Sequence, residues 1–406
     1  MSDVRPSLRL IAVILITAAT TLLSHEHAFS ENREIQPPSR TAPLAKGDLI
    51  GEIGYRCGES AKPCSITEFM DKARVCALLV LKSQKIRFYR FDSSNRFCQS
   101  DPGPNGWGKR FGIASVTKSI TSTLLGHAIA SKFRARTRGE FHAILSKPVD
   151  RFVKDEQPPR SAYNGVPLDR AMRMRSGVIW RENGWHGWFS DNEQFRRRVR
   201  GKWETVTEFA SKYRGAATGP ETPEFNYSAL DAAMAAVAAE AMLGNERLTE
   251  FLEHGIWRAT GAEASASWGV DKAETAIGPC CFRATVRDLA RFGLFVLNKG
   301  RNADGRQIIP SAWFEIATKG HSWIDAIPWD NPSFNPGCPL DYRYFWWLFP
   351  GRSDFTAIGR SGQFIHIYPD ADTVIVQISD WGAWTNGDRL QCETLKVHDA
   401  LVKAVR

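Results

Sequence analysis

The sequence predicts an α/β protein of the α+β type, in which helices flank a central antiparallel sheet and a mostly helical sub-domain is attached. Two apolar segments near the start of the chain, 76–81 and 85–90, are separated by a short turn, which predicts a β-hairpin. Aromatic and β-branched strand patterns return only near the other end, at 344–348, 363–368 and 373–378. The region between them, about 136–284, carries mainly helix and loop patterns. We therefore expect both ends of the chain to build one sheet, with the helical sub-domain inserted between them.

Several helix boundaries are marked by capping residues. Ser65-Ile66-Thr67-Glu68 has the spacing of a capping box, in which the serine and glutamate side chains bond to each other's backbone N–H groups. Thr285-Val286-Arg287-Asp288 has a similar pattern and precedes apolar residues at helical spacing. Helices are also expected over 230–243 and from about 388 to 405.

Length and composition are those of a globular protein with a large core. The chain has 406 residues, of which 43% are hydrophobic and 24% charged, and this excludes a disordered or fibrous chain. The net charge is +9, with basic clusters at 132–138 and 196–202. These clusters are either a solvated face or a surface that attracts an anionic envelope or substrate. No nucleic-acid-binding motif accompanies the charge, so we expect no nucleic-acid partner.

The first thirty residues have the pattern of an export signal. Arg5 and Arg9 precede the apolar run 10–23, and Ala28-Phe29-Ser30 offers small residues at the spacing of a signal peptidase site. The run is short for a membrane span, and both cleavage and retention as an anchor stay open. The expected organisation is a signal peptide at 1–30, a linker at 31–46 and one main domain at 47–406. The expected location is periplasmic or secreted.

The eight cysteines fit such a location, because an even set in an exported chain indicates disulfides. Cys57 with Cys64, and Cys76 with Cys98, are candidate local bridges. Cys280 and Cys281 are adjacent, and we expect them to bond to different partners. Eight cysteines allow 105 pairings, so the full map stays open.

Ser115-Val116-Thr117-Lys118 is the first candidate for chemistry. Ile120, Leu124 and Ala128 recur at helical spacing after it, so Ser115 is expected at a helix start. Residues three apart share one helix face, so the Lys118 amine can reach the Ser115 hydroxyl. A helix start also offers free backbone N–H groups to a developing oxyanion. By itself the pattern is equally compatible with a capping serine and a surface lysine.

Two later segments favour a catalytic role. Tyr227 lies in Phe225-Asn226-Tyr227-Ser228-Ala229-Leu230-Asp231, and Arg360-Ser361-Gly362 precedes the strand that starts at Gln363. In order and spacing, the three segments resemble the motifs of the penicillin-recognising (SxxK) serine hydrolases. This superfamily includes class C β-lactamases, D-alanyl-D-alanine peptidases, related esterases and 6-aminohexanoate-dimer hydrolases. With further similar segments at 147–150, 174–177, 287–293 and 305–310, the resemblance covers about residues 75–385.

The resemblance implies a β-lactamase/transpeptidase-like fold and a set of roles. Ser115 would attack an acyl carbonyl and become acylated, Lys118 would accept its proton, and Tyr227 would help pass the proton to the leaving group. The backbone N–H groups of Ser115 and Gln363 would form the oxyanion hole. Substrate would be bound by Arg360, Ser361 and Gly362. Lysine and tyrosine have reference pKa values near 10, so these roles require an environment that lowers them.

Two departures from the family pattern narrow the function. Ala229 stands where the second motif usually ends in asparagine, and Arg360 stands where the third usually begins with lysine or histidine. Arginine keeps the charge and binds carboxylates bidentately but donates no proton. Both changes favour the esterase and amidase branch over penicillin hydrolysis, with a small-molecule amide or ester as substrate. A non-catalytic ligand-binding protein on the same scaffold, and a true β-lactamase or D-alanyl-D-alanine peptidase, remain alternatives.

The loop after the Ser176-Gly177 turn is rich in tryptophan. Trp180 and Trp185 are candidates for the wall of the acyl pocket, or they pack the sub-domain junction. The sequence contains no Gly-x-Ser-x-Gly elbow and no His-Glu-x-x-His zinc motif. No metal or organic cofactor is implied.

Overall fold

Antiparallel sheets and helices make up the computed structural model of the chain, which describes residues 32–58, 63–92, 98, 107–153, 162–182, 190–213, 223–319, 338–382 and 387–406. The strands are β1 (Asn32–Ile35), β2 (Gly54–Tyr55), β3 (Cys64–Ser65), β4 (Val75–Lys82), β5 (Lys85–Phe91), β6 (Arg110–Gly112), β7 (Ala266–Gly269), β8 (Phe282–Thr285), β9 (Asp341–Arg343), β10 (Trp346–Leu348), β11 (Phe355–Gly359), β12 (Gln363–Tyr368) and β13 (Thr373–Ser379).

Helices cover the sheets and fill the space between them. They are α1 (Ile66–Lys72), α2 (Val116–Phe133), α3 (Arg138–Leu145), α4 (Leu168–Met172), α5 (Asp191–Phe195), α6 (Val206–Ala210), α7 (Ala229–Leu243), α8 (Leu248–Phe251), α9 (Val286–Leu297), α10 (Ser311–Thr318) and α11 (Gly387–Ala404). One π-helical turn, Arg196–Arg200, continues α5, and another, Leu252–Trp257, continues α8. None of the helices in the described ranges is both long and apolar enough to cross a membrane.

The main sheet has seven strands in the order β5-β4-β13-β12-β11-β10-β9, and its paired neighbours are antiparallel. The hairpin β4–β5 near the start of the chain therefore lies beside β13 near its end, which confirms the predicted sheet. Alternate residues face opposite helices: Ile365 and Val374 pack against Gly293 of α9, while His366 bonds to His398 of α11. The sheet is thus covered on both faces.

The helical predictions are confirmed at their boundaries. Ser65 and Glu68 form the reciprocal capping box of α1, and Thr285 accepts a hydrogen bond from the Asp288 N–H at the start of α9. The segments predicted at 230–243 and 388–405 are α7 and α11. The predicted strand at 344–348 is shorter, because Tyr344 and Phe345 have φ values of 43° and 65° and form a turn before β10.

A second sheet, in the order β1-β7-β8-β6, was not predicted from the sequence. The region predicted as mainly helices and loops contains β7 and β8, and the predicted linker 31–46 contains β1. Strand β1 pairs with β7 at the register Asn32↔Gly269, across more than half of the chain. These strands are three or four residues long, so no alternation of polar and apolar residues marks them, and only distant pairing stabilises them.

All eight cysteines are paired, and one pairing differs from the prediction. Cys57–Cys64 and Cys76–Cys98 are bonded as expected, and Cys338 is bonded to Cys392. The prediction that Cys280 and Cys281 have different partners is wrong, because they are bonded to each other. Cys281 has a φ of 77°, a left-handed conformation at the entry to β8, and this backbone brings two neighbouring sulfur atoms together.

Candidate active site

Ser115 lies at the N-terminus of α2, after β6 and a left-handed residue. Ala114 has a φ of 45°, which is uncommon for a residue with a side chain and indicates that its surroundings hold it there. Its carbonyl accepts the Thr117 Oγ1–H at 2.7 Å and the Thr117 N–H at 3.2 Å. The Ser115 side chain makes no capping hydrogen bond, so the helix start leaves its hydroxyl available.

Lys118 points its amine at that hydroxyl. The Lys118 Nζ lies 3.0 Å from the Ser115 Oγ and 3.3 Å from the Pro279 carbonyl oxygen. The lysine is only 2% exposed, so it is not the surface cation that the sequence left open. The spacing of three residues on α2 therefore produces a direct contact between an amine and a hydroxyl.

Tyr227 borders the same amine. The Lys118 Nζ lies 4.7 Å from the centre of the Tyr227 ring, and the ring stacks on Trp347 at 5.8 Å. The segment that carries it is held by Met174, whose carbonyl accepts the Asn226 N–H at 2.8 Å. The structure thus brings Tyr227 beside Lys118, although the two residues are more than a hundred positions apart.

The turn between β11 and β12 closes the other side of Ser115. A Cβ on Gly359 would lie 3.2 Å from the Ser115 backbone nitrogen, 2.5 Å from the Ile113 carbonyl and 3.0 Å from the Gln363 Cβ. Gly359 and Gln363 are the closing pair of the hairpin. The main chain of Gly359 therefore lies beside that of Ser115, and Gln363, the second predicted oxyanion-hole residue, is the strand partner of Gly359.

The third motif itself is a tight turn. Ser361 and Gly362 have φ values of 65° and 88°, and a Cβ on Gly362 would lie 2.4 Å from the Trp381 indole nitrogen. The side-chain amide of Gln363 holds the turn, because its Nε2 donates to the Ser379 carbonyl at 2.7 Å. Arg360 is exposed and lines the cavity beside Ser115, whereas Ser361 and Gly362 shape the turn.

A cavity of about 490 Å³ contains Ser115, Lys118, Ala229 and Arg360 in its wall. Its further lining is Asn32, Gly112, Ala114, Glu182, Asn192, Phe195, Arg196, Arg200, Ile277, Pro279, Cys280, Cys281, Phe282 and Arg283. The sequence pattern did not predict these residues at the site, and it marked Arg196 and Arg200 only as members of the basic cluster 196–202. Five of the further lining residues come from β1, β8 and the π-helical turn, and four more come from the segment 277–281 that precedes β8.

Glu182 is the acidic residue among those lining the cavity. Its Oε2 accepts the Trp180 indole N–H at 2.6 Å and the Ala229 backbone N–H at 3.0 Å. An isolated glutamate next to a tryptophan-rich loop carries no sequence pattern, which is why it escaped prediction. Its carboxylate lies at the helix start where the family pattern usually has asparagine.

Of the two roles that the sequence left open for Trp180, its contacts match packing inside the protein. It is 4% exposed, packs against Phe195 at 6.4 Å and Tyr213 at 5.5 Å between ring centres, and is absent from the cavity lining. Its large ring therefore packs among aromatic side chains of the helical region, which is the junction role and not the pocket-wall role. Trp185 lies outside the described residues. Within the described ranges, no group of three or more His, Cys, Asp or Glu residues is placed to hold a metal ion.

Comparison with known proteins finds a matching family model and a related hydrolase. The model of the Beta-lactamase family matches residues 65–390. A 6-aminohexanoate-dimer hydrolase of Paenarthrobacter ureafaciens is 26% identical over 286 residues, which are 66% of each chain, so the match spans about two thirds of that relative's length.

Solved structures show the same fold. The putative 6-aminohexanoate-dimer hydrolase from Bacillus anthracis has a TM-score of 0.74 at 20% identity, over 92% of this chain and 91% of that chain. A class C beta-lactamase mutant has a TM-score of 0.55 at 13% identity, over 82% of this chain and 95% of that chain. Because the family match spans the segment that holds Ser115, Lys118, Tyr227 and Arg360, the chain belongs to the beta-lactamase family of serine hydrolases.

Proposed function

We propose that the protein is an exported hydrolase that cleaves a linear amide or ester through an acyl-enzyme on Ser115. The observation that carries the proposal is the 3.0 Å contact between the Lys118 amine and the Ser115 hydroxyl, which lies in the wall of a cavity large enough for a small molecule. A nucleophile within hydrogen-bond reach of a base is the minimum arrangement for covalent acyl transfer.

The reaction proceeds in two halves. The Ser115 Oγ attacks the acyl carbon while its proton moves to the Lys118 amine, and the carbonyl oxygen becomes an oxyanion. The backbone N–H groups of Ser115 and Gln363 stabilise that oxyanion. The amine or alcohol leaves with the proton, which Lys118 and Tyr227 deliver, and Ser115 remains acylated. Water then attacks the acyl-enzyme carbonyl and gives a proton to the same pair. That proton passes to the Ser115 Oγ as its bond to the acyl carbon breaks, and the carboxylic acid is released.

Ala229 and a relative's name both favour a linear substrate. The side chain at Ala229 offers no amide to hold Lys118 or a bicyclic substrate, and its backbone N–H is bonded to Glu182. The relative of Paenarthrobacter ureafaciens is named for hydrolysis of the 6-aminohexanoate dimer, a linear amide.

Export is supported by the disulfides. Four bridges involving all eight cysteines are expected to persist in an oxidising compartment and to be rare in the cytosol. The predicted signal peptide lies outside the described residues.

Labelling by a fluorophosphonate and turnover of p-nitrophenyl esters test the proposal. We expect one equivalent of adduct on the purified protein and none on Ser115→Ala, while Ser146→Ala, an exposed serine at the end of α3, behaves like the wild type. The 6-aminohexanoate dimer and nitrocefin then test the bond type. Rapid nitrocefin turnover would overturn the preference for linear substrates. Absence of both adduct and Ser115-dependent turnover would support a non-catalytic binding protein instead.

A further inference from the structure

The wall of the cavity is strongly cationic. Among the described residues that line it, four arginines carry a positive charge, namely Arg196, Arg200, Arg283 and Arg360, and one residue, Glu182, carries a negative charge. Lys118 is committed to Ser115, and Arg360 belongs to the third motif. The other three arginines come from the π-helical turn and from β8, which no motif of the sequence assigned to the site.

Two of these three arginines are held in place by the protein. Arg196 makes a bidentate pair with Glu193, with both N–O distances at 2.9 Å. Arg283 donates from Nη2 to the Arg110 carbonyl at 3.1 Å. Since Arg196 and Arg283 flank the position of Arg200, they form a fixed positive frame around it.

Arg200 differs from Arg196 and Arg283 in its contacts. No hydrogen bond or ion pair to it occurs among the described residues, although it is half-buried and faces two other guanidinium groups. Burial, followed by the charges of Arg196 and Arg283, lowers its pKa. Like charges in a partly desolvated place repel each other, and a bound anion would relieve that repulsion. A guanidinium fork without a protein partner matches the two oxygens of a carboxylate.

We propose that Arg200, framed by Arg196 and Arg283, forms an anion subsite that binds a carboxylate of the substrate, remote from the bond that Ser115 cleaves. This inference rests on the proposed hydrolase function and specifies its substrate class, acyl compounds with an anionic end. The anion would be bound beside β8 and the π-helical turn, in addition to any contact that Arg360 makes.

Matched substrate pairs test the subsite on either side of the scissile bond. On the acyl side, mono-p-nitrophenyl adipate carries a free carboxylate and its methyl ester is neutral. On the leaving-group side, 4-acetoxybenzoate and its methyl ester form the second pair. We expect kcat/KM to favour the anionic member of at least one pair by about tenfold or more, mainly through KM. Added salt should reduce that ratio.

Variants then connect the preference to Arg200. Arg200→Ala should lower the anionic-to-neutral ratio about tenfold, and Arg200→Lys should restore part of it. Arg197→Ala is the control, because Arg197 lies on the same turn, pairs with Glu193 and does not line the cavity. Its ratio should equal that of the wild type.

The outcomes separate the two proposals. If no ester is turned over in a Ser115-dependent manner, the hydrolase function fails. If turnover depends on Ser115 but neither pair shows a charge preference, or the preference survives Arg200→Ala unchanged, the anion subsite alone is refuted.

Discussion

Lys118 shows at the scale of one residue how burial and contact give a side chain its role. Its amine is enclosed by the Ser115 hydroxyl, the Pro279 carbonyl and the face of Tyr227. A surface lysine would have its amine in water and three rotatable donors directed there. Lys118 instead has one position, and this fixed geometry is what a general base needs.

Replacement of Lys118 by methionine should therefore reduce kcat/KM by about 10² to 10⁴. Methionine keeps the length and fills the space but cannot take a proton, so the fold should persist. Lys132→Met, an exposed lysine at the far end of α2, is the control. Steady-state kinetics with a p-nitrophenyl ester and a melting curve check both. A Lys118→Met enzyme within threefold of the wild type would remove Lys118 from the mechanism.

The Cys280–Cys281 bridge also acts at this scale. It lines the cavity and directly follows Pro279, whose carbonyl accepts the Lys118 amine. Converting both cysteines to serine should lower kcat/KM on the order of tenfold, because small displacements of catalytic groups have large effects. The Cys57→Ser/Cys64→Ser pair, outside the cavity lining, should keep full activity. Equal activity losses in the two double variants would assign the bridge a purely structural role.

The hairpin β11–β12 is the element that forms the third motif and borders the start of α2. Its closing pair, Gly359 and Gln363, lies against the start of α2, so strand and helix meet through main chain. A side chain at Gly359 would force them apart. The turn residues Ser361 and Gly362 adopt left-handed conformations, and Trp381 packs where a Gly362 side chain would be.

Gly362→Ala should therefore lose activity as well as stability. A positive φ costs an alanine about 1–2 kcal/mol, and the clash with Trp381 displaces the turn that positions the Gln363 N–H. Gly351→Ala is the matched control, because Gly351 has a φ of 74° in the β10–β11 turn with open space around it. Gly351→Ala should lose a similar amount of stability through backbone strain, but it should keep its kcat. Urea unfolding with esterase kinetics measures both, and unchanged kcat in Gly362→Ala would contradict this role for the turn.

At the scale of the whole molecule, buried histidines link stability to pH. Burial lowers the pKa of His127 in α2 to about 4, and it also lowers the pKa values of His366 and His398 under the main sheet. The His127 ring stacks on Phe251 at 4.3 Å, and among the described residues its Nδ1 has no hydrogen-bond partner. Folding therefore disfavours protonation of these imidazoles relative to the unfolded chain.

Stability should fall in mild acid. An unfolded histidine takes up its proton at about pH 6.5, whereas His127 in the folded state does so at about pH 4. The unfolded state therefore binds more protons within this window, and the contribution of His127 is complete above pH 6.5 and lost as the pH falls to 4. His127→Phe should reduce the loss between pH 7 and pH 5 by on the order of 1 kcal/mol. Urea unfolding at each pH measures the free energy of unfolding of both proteins. If the free energy falls equally with pH in the wild type and in His127→Phe, the prediction is refuted.

Local patterns predicted the elements whose residues are close in sequence. The β4–β5 hairpin, the capped starts of α1 and α9, the buried helix α7 and the contact between Ser115 and Lys118 all depend on spacing within a few residues. The small sheet and Glu182 escaped, because each depends on partners far along the chain. The role of Trp180 and that of the basic cluster containing Arg200 each stayed open between two alternatives for the same reason. The pairing of Cys280 with Cys281 escaped for a different reason, since it depends on the left-handed backbone at Cys281.

The sequence by itself determined the fold class and the residues of the three motifs. Hydrophobic periodicity, capping residues and motifs depend on residues that are close in sequence, so they can be recognised before the fold is known. Only the tertiary structure decided which charges surround Ser115. Strand β8, the π-helical turn and the β11–β12 hairpin meet there through non-local pairing, and long-range contacts of that kind leave no periodic trace in the residues that make them.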